Sequence, residues 1–187
     1  MWSQDTLWLV LRTESQEAGG DVLAVKVGED TSTIPVAATP FSEVAPALSP
    51  NGRFLAYASN ESGVSQVYVV PFPNTGDQRV QVSIERGIEP VWRRDGRELF
   101  YRRGSGGDLV AVEVDTEGPL QVGEESVLFP AGGYRAYSYH PQYDVAPDGR
   151  RFVMLRPLQS SGSASGPQMI QVQNWFTELE ERLGGGR

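Results

Sequence analysis

The 187-residue sequence contains no cysteine, one histidine (His140) and one lysine (Lys26). Without cysteine there can be no disulfide, thiolate nucleophile or cysteine-bound metal. That absence fits any compartment. No His-Glu-x-x-His or calcium-loop pattern is present, so neither a metal nor another cofactor is expected. The apolar runs are all too short to span a bilayer. The opening "MWSQD" lacks a basic start and a following apolar stretch, so it does not read as a signal peptide. A net charge of −8 leaves no basic surface for nucleic acid or for an anionic membrane face. The kinase signatures Val-Ala-Ile-Lys, His-Arg-Asp and Asp-Phe-Gly are missing, so the chain is not itself a kinase.

What the chain does have is punctuation. Its 21 Gly and 13 Pro are scattered between short apolar runs, which suits strands joined by tight turns. "SPNGR" precedes the alternating run 54–57, and "RRDGR" and "APDGR" do the same before 98–101 and 151–154. Asp5, Asn51, Asp95 and Asp148 fall in one column at spacings of 46, 44 and 53 residues. Asn51-Gly52, Asp95-Gly96 and Asp148-Gly149 favour the positive φ of hairpin turns, so these residues read as structural.

Each turn is preceded and followed by short strands in a fixed order. One unit therefore contains four strands in about 45 residues, the period of propeller blades. The predicted fold is all-β: a partial β-propeller of three and a half to four four-stranded blades, with a short C-terminal α-helix. Residues 1–40 read as an incomplete blade, 41–84 and 85–130 as full blades, and 131–174 as a second incomplete blade. Asn174 can cap a helix over 175–183, with Trp175, Leu179 and Leu183 along one stripe. The polar stretch 159–167 reads as a connection within the last blade.

No catalytic arrangement emerges. Ser138, His140 and Asp144 lie near one another in sequence, but no Gly-x-Ser-x-Gly elbow accompanies them. "RRGSGGD" (102–108) lacks the ending of a phosphate loop and reads as a hairpin loop. Glu43, Glu89 and Asp144 fall near the starts of first strands, where they could form an acidic rim or stand as solvated loop charges. The segment 132–143 gathers Tyr134, Arg135, Tyr137, Tyr139, His140 and Tyr143. Tyrosine and arginine dominate recognition surfaces, so Tyr134, Arg135, Tyr137, Tyr139 and His140, with Glu89, are the candidate binding residues.

The stretch from Pro90 to Tyr101 resembles the TolB-like, WD-repeat-like β-propeller family. Residues 57–74 and 89–102 look like propeller regions that follow bacterial serine/threonine kinase domains, and 174–183 resembles the close of such chains. The resemblance implies a non-enzymatic module that binds a protein or small ligand, the sensory or scaffolding part of a kinase-associated protein. An extracytoplasmic or periplasmic location follows if that kinase spans a membrane. The alternative is the accessory propeller of a prolyl-oligopeptidase-type peptidase. No catalytic residue transfers in either case. Incomplete blades at both ends predict either a piece of a longer protein or two chains completing one ring.

Overall fold

A computed structural model describes residues 1, 3, 7–14, 19–28, 32–76, 78–104 and 107–157, with the backbone of 169–172. The expected turn at Asp5, the connection 159–167 and the helix 175–183 lie outside the described residues. The described residues form four antiparallel sheets and no helix. The first holds β1 (Trp8–Arg12), β2 (Val22–Lys26) and β3 (Thr33–Ala37), and the second β4 (Glu43–Leu48), β5 (Phe54–Ser59), β6 (Gln66–Pro71) and β7 (Val80–Gln81). The third holds β8 (Gly87–Trp92), β9 (Glu98–Arg103), β10 (Asp108–Asp115) and β11 (Gln121–Pro130). The fourth holds β12 (Tyr143–Val145), β13 (Phe152–Leu155) and β14 (Met169–Val172).

The outer strands, for which the sequence offers the runs 79–83 and 126–129, differ most from expectation. β7 shrinks to two residues, whereas β11 runs for ten because it follows the eight-residue β10 along its whole length. Arg102 and Arg103, read from sequence as loop residues, belong to β9.

The three turn motifs are built alike. Gly52, Gly96 and Gly149 donate their amides to Ser49, Arg93 and Ala146, at 2.8–2.9 Å. The side chains of Asn51, Asp95 and Asp148 each accept the amide two residues on, at 3.0–3.1 Å. Only the glycines take positive φ, 69°, 74° and 71°. Each loop is thus a four-residue connection around a type I-like turn closed by a left-handed glycine. Asn51 also reaches across to the third sheet, donating to Thr116 O at 3.2 Å and Thr116 Oγ1 at 3.0 Å.

Strand alternation gives each sheet two apolar faces. Leu55, Tyr57, Tyr68 and Val70 of the second sheet pack on Val10, Val22 and Ala24 of the first. Its other face, with Phe54, Ala56, Val67 and Val69, meets Leu99, Tyr101, Val110 and Val112 of the third. Phe100, Leu109, Ala111 and Phe129 then meet Phe152 and Met154 of the fourth. Full burial of one such side chain is worth about 1.5–3 kcal/mol, so these three junctions dominate the fold's stability.

The first strands of the second and third sheets share a distortion. Their registers slip between Val44 and Ala47 and between Ile88 and Val91. Within each slip sits a left-handed residue, Ala45 (φ 51°) or Glu89 (φ 58°), followed by Pro46 or Pro90. Such a conformation costs a non-glycine residue about 1–2 kcal/mol, and a following proline further disfavours the ordinary helical alternative. In the first sheet, residues 1 and 3 run beside β1: Val10 N donates to Met1 O at 2.8 Å and Ser3 N to Trp8 O at 2.9 Å.

Candidate functional site

Residues 131–142 join β11 to β12. Gly132, Gly133 and Pro141 interrupt the segment and no apolar alternation runs through it, so it crosses the molecule as a loop. It touches all four sheets. The Arg12 guanidinium of the first sheet stacks over the Tyr139 ring at 4.4 Å. Ala45 N of the second donates to Tyr139 O at 3.1 Å, and Arg135 N donates to Leu155 O of the fourth at 2.7 Å. Glu89 of the third accepts from Tyr137 N at 2.6 Å and Gln142 N at 3.2 Å, both at Oε1.

Beneath the loop lies a buried polar foundation. Glu89 and Arg102 are both wholly buried, with Arg102 Nη1 4.0 Å from Glu89 Oε2. Arg102 also donates to Ala131 O at 2.7 Å and Arg135 O at 3.3 Å. Tyr143 donates its hydroxyl to Glu89 O at 2.9 Å. Burial raises the Glu89 pKa, opposed by the Tyr137 amide and the Arg102 charge. Burial likewise lowers Arg102, against the pull of Glu89, and raises the Tyr143 hydroxyl. Glu89 Oε2 has no hydrogen-bond partner among the described residues.

The upper side of the loop faces solvent. Tyr137 is 48 % exposed and Tyr139 43 %, with ring centroids 5.2 Å apart. The His140 ring lies 4.9 Å from Tyr137, and Gln142 Nε2 donates to its Nδ1 at 2.9 Å. Arg135 is exposed, and its guanidinium has no ionic partner among the described residues. Tyr134 is half-buried and packs against the junction of the third and fourth sheets.

Of the candidate residues, Tyr137, Tyr139 and His140 therefore form one exposed cluster, with Arg135 on the same loop. Tyr134 and Glu89 serve from below. The acidic rim does not form. Glu43 is buried, accepting from Thr39 Oγ1 at 2.5 Å and Ser59 Oγ at 3.4 Å, and Glu89 is buried under the loop. Local donors satisfy both oxygens of Glu43 and Oε1 of Glu89, which offsets part of the cost of burying them. Asp144 is exposed and accepts from Val145 N, while His140 engages Gln142, so Ser138, His140 and Asp144 do not assemble. Among the described residues no three His, Asp or Glu side chains converge as a metal site.

Sequence reasoning missed Arg102, Arg12 and Gln142. For Arg102 a signal existed: alternation from Phe100 puts it on the inward face of β9.

No family model matches the chain, and no curated protein matches it. Solved structures do. A protein described as TolB from Agrobacterium tumefaciens aligns over 87% of this chain and 55% of its own, at TM-score 0.59 and 14% identity. Hydrazine synthase of Kuenenia stuttgartiensis aligns over 92% and 44%, at TM-score 0.55 and 19% identity. A prolyl endopeptidase aligns over 80% and 24%, at TM-score 0.54 and 13% identity. The chain thus spans about half the length of these structures or less. At such identities the likeness shows the fold alone: an all-β, propeller-like domain similar to those of TolB and prolyl-oligopeptidase proteins.

Proposed function

We propose that this chain is a non-catalytic binding module that recognises a protein segment or small ligand through Tyr137, Tyr139, His140 and Arg135. One observation carries the reading. An exposed aromatic cluster is held in place by a buried carboxylate and guanidinium that grip the loop's backbone from beneath. Burying that pair is costly, and a loop serving only as a connection has no use for it. Tyrosines offer large contact area at small entropic cost, and the guanidinium of Arg135 is available for an acidic or aromatic partner group.

In the setting the sequence resemblance implies, the module is the sensory or scaffolding part of a kinase-associated protein. The likeness to a prolyl endopeptidase favours a second reading, an accessory propeller that gates a hydrolase domain. Both readings put recognition on this chain and chemistry elsewhere.

Peptide display against the purified chain tests the proposal. Selected binders are expected to lose at least tenfold in affinity for Tyr137→Ala and Arg135→Ala, with melting temperature unchanged. Binders indifferent to both changes, or variants that melt early in proportion, would assign the loop to the fold instead.

A further inference from the structure

Among the described residues, one sheet face lacks the cover its counterparts have. In the second sheet, Leu55 pairs across the strands with Val70 and Tyr57 with Tyr68; in the third, Leu99 pairs with Val112 and Tyr101 with Val110. All eight are buried against the preceding sheet. The same positions in the first sheet are Leu9 opposite Val25 and Leu11 opposite Leu23, with Leu23 also opposite Pro35. These four are only half-buried and join none of the core clusters. Val27, beyond the end of β2, is 43 % exposed.

At the far end, the fourth sheet packs Phe152 and Met154 on the third and turns Val153 and Leu155 the other way. Leu155 is 38 % exposed. Among the described residues no core cluster joins the first sheet to the fourth. The chain thus repeats one packing three times, each sheet's leading face on the trailing face of the sheet before it. Among the described residues it leaves one leading face and one trailing face over.

We infer that the Leu9–Leu11–Leu23–Val25 face is an interaction surface for a second copy of this chain, taking the outward face of that copy's fourth sheet around Val153 and Leu155. The occupant follows from the internal repetition, since the only surface this chain already fits to such a leucine-rich face is the trailing face of a sister sheet. The contact is head-to-tail, so two chains make two equivalent junctions if the rotation closes, and a growing series if it does not. An apolar strip of this kind on a solvated sheet is otherwise a liability.

Sedimentation of the intact chain is expected to show a species of at least twice the chain mass that dissociates on dilution. Leu11→Arg and Leu155→Arg are each expected to give monomers. Mixing these two variants leaves one intact junction per pair, so an equimolar mixture is expected to form a heterodimer, which also proves that both are folded. A monomeric parent chain would overturn the proposal. So would association that survives Leu155→Arg, because the leucine face would then be pairing with itself. Failure of the mixture to associate would overturn it equally.

Discussion

Arg102 holds Glu89 at 4.0 Å in a wholly buried site, and the two residues grip opposite ends of the same loop. Arg102 takes the carbonyls of Ala131 and Arg135, and Glu89 takes the amides of Tyr137 and Gln142. The pair thus acts through the loop's backbone and engages none of the side chains on its outer surface.

Removing one member of a buried pair is costlier than removing both, because the survivor stays desolvated. Arg102→Leu is therefore expected to destabilise the fold by about 3 kcal/mol. Urea denaturation monitored by tryptophan fluorescence checks this, and a double Arg102→Leu, Glu89→Leu variant should recover part of the loss.

The pH dependence of Glu89 has a definite sign. Its folded pKa lies above the ordinary value of 4.5, so the folded state holds the proton more tightly than the unfolded one. Its contribution is accordingly full below pH 4.5 and declines as pH rises through the folded pKa. Glu89→Gln should remove that decline, so the difference in melting temperature between variant and parent should grow in the variant's favour across this window. A pH-independent difference would show that Glu89 titrates normally.

Gly52 carries a φ of 69° with open space around its missing Cβ. Gly52→Ala therefore meets strain without collision and is expected to cost about 1–2 kcal/mol. Gly52→Asn should cost less, since asparagine tolerates the left-handed region. Thermal unfolding of the two variants side by side decides it.

Trp92 donates its indole N–H to Ala47 O at 2.9 Å in the junction between the second and third sheets. Trp92→Phe removes this hydrogen bond and opens a void, which together are expected to cost about 2–4 kcal/mol. Differential scanning calorimetry should show an earlier, still single transition.

The sheets were legible because each announces itself locally. The Asn/Asp-Gly turns recur, and alternation on either side, as in 54–57 and 98–101, reports the faces. The central site was only half legible. Its tyrosines stand out by composition, but Glu89 and Arg102 occupy positions where the second sheet has Ala45 and Ala58. A charge at such a position reads as solvated loop charge until the loop covering it is known. That covering comes from residues about thirty to fifty positions further on, a separation no local pattern records. The reach of β11 was hidden for a related reason: Gln121–Glu125 has little apolar alternation, and pairing with β10 alone makes it a strand.

Pro46 and Pro90 stand immediately after the left-handed residues on edge strands β4 and β8. Neither has an amide hydrogen to lend, and the bulge at each turns the neighbouring backbone out of register. A guest polypeptide arriving at that rim cannot be zipped on as another strand. Under the proposed binding role, discrimination there would rest with side chains, so the guest could change when a handful of loop residues change while the sheets beneath keep their form.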